Sequence, residues 1–250
     1  MKRLLAIGDT HCGNLLGLTP PAWWNDRTPP TQRPMWEWYA KELATIGPVD
    51  VLVLNGDLVD GEGKKETIGL LTTDVDEQAE MAVACLKDIV AKKRFLTYGT
   101  PFHTVGSSSY EKRIADALNS PVSATLMLDV DGMKFNFRHV AGRSDVPYGQ
   151  GTQLYKEVVR DMLQSVIEEY SCADVVVRSH VHYYLHMDDG DRHAVSLPCL
   201  QVPESVFARG LRTMYYRLGM VLFLVDDGQV TVELHKMPLK IVRRREYVKV

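Results

Sequence analysis

Four short apolar runs punctuate the sequence: Leu4 to Ile7, Val51 to Leu54, Phe95 to Tyr98 and Val175 to Val177. Continuous runs of this length fit strands covered on both faces. Helical periodicity lies between them. "MWEWYAKELATIG" (35–47) spaces its apolar residues three and four apart and stops at Gly47-Pro48. The segment 75–93 opens with acids, closes with lysines and aligns Met81, Ala84, Cys85 and Ile89, which predicts a helix along its length. The segment 151–170 repeats the pattern with Leu154, Val158, Met162 and Ile167. Three hairpins are expected, turning at Val130-Asp131-Gly132, Asp189-Gly190 and Asp227-Gly228. Strand–helix alternation followed by hairpins predicts an α/β fold of two mixed β-sheets sandwiched between helices, as one domain over 1–250.

With 45% hydrophobic residues in 250, the chain can bury a sizeable core. Its net charge of -3 supplies no general field for nucleic acid or anionic membrane. The basic run Arg243-Arg244-Arg245 with Lys249 reads as a solvated terminal strand or tail. Cys12, Cys85, Cys172 and Cys199 are scattered, as reduced thiols are, and no stretch suits a signal peptide or a membrane span. A cytoplasmic location is expected. Residues 14–34, rich in proline with Trp23-Trp24 at the centre, are expected as an insertion loop, a lid or rim beside the site.

Several expected strands end in residue types that bind metal. Asp9 and His11 follow the first, Asp57 and Asp60 the second, Thr100 and His103 the third; His139 closes a hairpin strand, and His180 and His182 follow the last apolar run. In open α/β folds, ligands gather outside the carboxyl ends of strands. Imidazoles mixed with carboxylates suit a pair of divalent transition ions, manganese, iron, zinc or nickel. The spacings Asp9-x-His11 and His180-x-His182 would let both side chains of an extended segment reach one cluster. The alternative for Asp9 and Asp57 is a turn or helix cap, and His139 and His103 could be core or surface histidines. Arg143 and Arg178 could meet a phosphate or form ion pairs. His186, His193 and His235 are read as structural.

"GDTH", "GDLVD", "FRHVAG" and "SHVH" resemble, in order, the signature blocks of the calcineurin-like metallophosphoesterase superfamily, D-x-H, G-D-x-x-D, G-N-H-D/E, a lone H and G-H-x-H. They span residues 8–182. The resemblance implies that Asp9, His11 and His182 hold one ion, His139 and His180 the other, that Asp57 bridges, and that Asp60 orients a neighbour. It implies phosphoester hydrolysis by hydroxide held between two ions, with His103 protonating the leaving group. The third block departs, since Gly99-Thr100-Pro101-Phe102-His103 lacks the asparagine. Either Thr100 takes its place and His103 is the acid, or His103 replaces it as ligand; G-T-x-x-H forms occur among phage and prophage members. Ser179 stands for the glycine before His-x-His. Asp60-Gly61 replaces the Asp-Arg of protein phosphatases, which favours a phosphodiesterase or nuclease-like activity on nucleic acid or a nucleotide. A phosphomonoesterase and a non-catalytic metal-binding module of the same fold are the alternatives.

Overall fold

Along the first strand Leu4 and Ala6 pack one way and Leu5 and Ile7 the other, and both sides are buried. That arrangement generates the fold. The computed structural model describes residues 1–62, 69–100, 110–144, 146–202 and 216–238. One sheet has six strands in the order β11-β10-β1-β2-β3-β4 and the other five, in the order β5-β6-β7-β9-β8. The first comprises β1 (Lys2–Ile7), β2 (Val49–Asn55), β3 (Ala91–Thr97), β4 (Val122–Ser123), β10 (Gly219–Asp226) and β11 (Gln229–Lys236). The second comprises β5 (Leu126–Val130), β6 (Met133–Phe137), β7 (Val175–Arg178), β8 (Leu185–Asp188) and β9 (His193–Ser196). The strands β1 to β4 run parallel, as do β6, β7 and β9, and the hairpin partners are antiparallel.

Between the sheets lie Leu4, Ala6, Val53, Phe135, Phe137, Val177, Val195 and Phe223. The outer face of the first sheet packs against α1 (Gln32–Ile46), α2 (Val75–Leu86) and α3 (Tyr110–Ala117) through Met35, Tyr39, Met81 and Ile114. The outer face of the second meets α4 (Pro147–Ile167) through Leu154 and Val158. Two layers of helix thus enclose two mixed sheets. In two hairpins Asp131-Gly132 and Asp227-Gly228 supply successive left-handed residues, the requirement of a tight two-residue turn.

Two sequence expectations need correction. The helix expected over 75–93 stops at Leu86, and Ala91-Lys92-Lys93 starts β3. Parallel pairing of Val49 with Ala91 and Val51 with Lys93 outweighs the helical pattern, and Lys92 meets Asp50 at 2.6 Å. Asp74 caps the helix start through the amides of Asp76 and Glu77. In α4 the expected stripe is only half buried: Leu154 and Val158 face the sheet, but Met162 and Ile167 face solvent. Glu157, Asp161 and Ser165 take the inner positions instead. They do so because Arg178, fully buried, donates to Glu157 at 3.0 Å, and Asn136 donates to Asp161 at 2.6 Å. Arg178 is therefore a structural cation; Arg143 is exposed.

The loop 14–34 is built into the structure. Gln32 donates to the carbonyls of Leu15 and Gly17, a 3-10 turn occupies Pro21–Trp23, and Trp24 donates to Thr19. Trp23 packs against the helical layer, whereas Asn14 reaches the site.

Candidate metal centre

The parallel strands β1, β2 and β3 present their carboxyl ends on one edge of the sandwich, and β6 and β7 do the same from the other sheet. The loops after β1 and β2 are zipped together, Asp9 N–H to Gly56 carbonyl at 3.0 Å and His11 N–H to Asp57 carbonyl at 3.1 Å. Ser179 N–H to His139 carbonyl, 2.9 Å, joins the loops after β6 and β7. Five of the nine described non-glycine residues with positive φ are Asp9, His11, Asp57, His180 and His182, at 52°, 45°, 49°, 72° and 61°. The D-x-H and H-x-H segments are therefore not extended. Five of the six residues that converge here, all but His139, are turned inward by left-handed backbone, a strain that functional sites concentrate.

Two groups of side chains result: Asp9, His11 and His182, and Asp57, His139 and His180, each offering ligand atoms within 4.8 Å of one another. In the first, the Nε2 atoms of His11 and His182 are 3.1 Å apart, and Asp9 Oδ1 is 3.3 Å from His182 and 3.8 Å from His11. In the second, His139 Nε2 lies 2.8 Å from Asp57 Oδ2. Asp9 Oδ1 also lies 3.8 Å from His139 Nε2, so it faces both groups. Donors bound about 2.1 Å from one ion lie roughly 3.0–3.4 Å apart at common angles, so the spacings suit cations. Asp9 Oδ1 and His139 Nε2 are buried and make no well-directed hydrogen bond, although Asp57 Oδ2 faces His139 Nε2 at 2.8 Å. Buried polar atoms left this way are costly unless something else satisfies them. The donor set fits a pair of transition ions.

Neighbours fix the imidazoles. His11 Nδ1 bonds Asp60 at 2.9 Å, and Asp60 accepts from Asn14 at 3.0 Å. His139 Nδ1 bonds the carbonyl of Asn55 at 2.7 Å. Each contact turns Nε2 toward the site. The side chain of Asn55 ties the sheets together, donating to Ser179 Oγ at 2.7 Å and accepting from Thr97 at 2.9 Å. Ser179 is thus a working hydrogen-bond partner at a position expected to be glycine. Thr100 donates to Asp57 Oδ1 from its amide at 2.6 Å and from its hydroxyl at 3.1 Å. Gly56, at φ 76°, admits His139, whose Nδ1 would lie 2.6 Å from any added Cβ.

Asn14, Asn55 and Glu111 belong to the site's surroundings and were not anticipated. Glu111, fully buried, lies against Gly99: a Cβ there would stand 2.7 Å from its Oε1 and 2.1 Å from Asp57 Oδ1. Its one sequence signal is an acid in the first turn of a helix that the periodicity missed. His103 and Arg243 to Arg245 lie outside the described residues. His186 and His193 bond each other at 3.0 Å, and His235 bonds Glu42 at 2.7 Å.

No family model and no curated protein matches the sequence. Among solved structures it is similar to a novel archaeal phosphodiesterase, at 11% identity over 93% of this chain and 99% of that one, with a TM-score of 0.50. The chain has the calcineurin-like metallophosphoesterase fold. Also similar are a predicted phosphoesterase from Streptococcus pneumoniae TIGR4 (12% identity, 93% and 88% of the two chains, TM-score 0.43) and zinc-complexed Vps29 from Entamoeba histolytica (12%, 94% and 98%, 0.46). No helix among the described residues is long and apolar enough to cross a membrane.

Asp60 holds the ring of His11 through the 2.9 Å contact at Nδ1. Replacing it by alanine is expected to weaken metal binding by about 10–100-fold while the fold survives, as read by chelator competition. Unchanged affinity would mean that the His11 ring needs no such support.

Without metal, the carboxylates hold protons on the imidazoles. Burial opposes the charge, yet the bonds to Asp60 and Asp9 raise His11 to about 10. Against the same penalty, Asp9 and Asp57 raise His139 to about 9, and Cys199 and Asp9 raise His182 to about 9. Burial would raise Asp9, but His182 and His139 hold it well below the usual carboxylate range. Burial and the neighbouring His139 lower His180. The raised values lie above the unfolded value of about 6.5, so their stabilisation is complete below that pH and is lost as pH rises through 9–10. Ligation needs neutral imidazole, so metal uptake at pH 7 should expel protons. Calorimetry in two buffers of different ionisation heat reads that release; none would count against these histidines as ligands.

Proposed function

We propose that the chain is a metal-dependent phosphoesterase working with two ions, that it favours phosphodiesters, and that nucleic acid or a nucleotide is its substrate class. The observation that carries this reading is the pair of buried carboxylate–imidazole groups whose ligand atoms converge. Ions held there would supply an activated water and positive charge against the phosphoryl oxygens. The protein's own groups do the positioning: Asp60 and the Asn55 carbonyl orient His11 and His139, and Thr100 fixes the carboxylate of Asp57. Manganese suits these donors first, with iron, zinc and nickel as alternatives. His103 is proposed to protonate the leaving group. Four free cysteines, two with sulfurs 4.0 Å apart, agree with a reducing cytoplasm.

Asp60-Gly61, lacking the arginine of protein phosphatases, favours diesters, and the fold shared with an archaeal phosphodiesterase agrees. Thr100 favours a second reading, because its polar atoms serve Asp57 where an asparagine ligand is expected; a chain so altered could bind metal without turnover. Aryl phosphodiester and phosphomonoester hydrolysis with added manganese separates these. Diester turnover supports the proposal, monoester turnover replaces it with a phosphatase, and inactivity with every ion leaves the binding module.

A further inference from the structure

The outer face of α4 is apolar, the reverse of what a surface helix needs. Of the twelve large hydrophobic residues that are exposed among those described, seven lie on this helix. They are Tyr148, Tyr155, Val159, Met162, Leu163, Val166 and Ile167, with Tyr148, Val166 and Ile167 at 88%, 80% and 79% exposure. The inner positions meanwhile carry Glu157 and Asp161, so the inversion is anchored by the hydrogen bonds to Arg178 and Asn136. At these exposures the stripe presents roughly 800 Å², above the apolar patches of about 300–600 Å² that monomers tolerate and equal to one side of a standard interface.

We propose that this face is the interface of a homodimer in which α4 packs antiparallel against α4 of a second copy. The spacing selects that occupant. Tyr155, Val159, Met162 and Val166 are four, three and four residues apart, a sequence of steps that reads the same in both directions. A two-fold axis between Arg160 and Asp161 therefore stacks Tyr155 on the partner's Val166 and Val159 on the partner's Met162, and the reciprocal contacts follow by symmetry. Leu163 and Ile167 form a second row beside this seam. Lys156, exposed on the same flank, can lay its methylenes over that row and keep its ammonium in water.

Sedimentation equilibrium and light scattering on the full chain at about 50 µM test this, since standard interfaces have Kd values of roughly micromolar or tighter. The expected mass is twice the 28.2 kDa of one chain. Val166→Glu and, more mildly, Met162→Gln should return the single-chain mass with unchanged far-ultraviolet circular dichroism, since both side chains face solvent in the isolated chain. A wild-type monomer overturns the proposal. A dimer that survives both substitutions overturns it too, because its interface then lies elsewhere.

Discussion

Asp57→Asn should abolish turnover and empty the centre of at least one ion. Asp57 is 1% exposed and is held from three sides: His139 Nε2 at 2.8 Å, the Thr100 amide at 2.6 Å and the Thr100 hydroxyl. Asparagine matches its shape and still accepts from Thr100 through one oxygen. It carries no charge, and its amide protons would face His139 where an anion is needed. In the proposed mechanism Asp57 holds and balances a catalytic cation, and losing it removes several kcal/mol of transition-state stabilisation, so kcat/KM should fall by about 1,000-fold or more. Metal content by mass spectrometry should fall in parallel while the circular dichroism spectrum persists. Wild-type turnover in this variant would end the two-ion reading of this site, whatever the fold.

Arg178→Met should cost a large share of the protein's stability. The guanidinium, 1% exposed, donates to Glu157 at 3.0 Å, to the Asn136 carbonyl and side-chain oxygen at 3.0 and 3.2 Å, and to the Val177 carbonyl at 2.8 Å. Burial pulls it down to about 10 against the opposing charge of Glu157, which leaves it charged at neutral pH. Its removal strands Glu157 under α4 with only the half-exposed Arg160 as partner, at 2.6 Å. Breaking a buried pair in this way costs about 3–5 kcal/mol. Urea unfolding measures the loss, and a second substitution, Glu157→Leu, should recover much of it. If the double variant is no better than the single one, the pair is not the unit of stability.

The hairpins were legible because Asp131-Gly132 and Asp227-Gly228 state their backbone angles locally. The convergence of these carboxylates and imidazoles was legible for a related reason: they are conspicuous at the ends of apolar strands, and a β-α order brings those ends together. What sequence alone did not give was long-range pairing. The end of α2 depends on β3 docking against β2, a contact some 42 residues away from Asp50 to Lys92. Asn55 looks like an ordinary polar residue until its partners, 124 residues away at Ser179 and 84 away at His139, are in place. The inner face of α4 was misassigned because periodicity counts apolar residues and cannot know that Arg178 will demand acids beneath the helix.

Each of the two ligand groups is recruited from both layers. Asp9 and His11 follow β1 while His182 follows β7; Asp57 follows β2 while His139 and His180 follow β6 and β7. A cation seated in either group would act as a rivet through the sandwich, clamping one sheet to the other at the edge where Asn55 already stitches them. Packing substitutions deep between the sheets, such as at Phe135 or Phe223, would then shift the two halves of each group relative to one another without touching them.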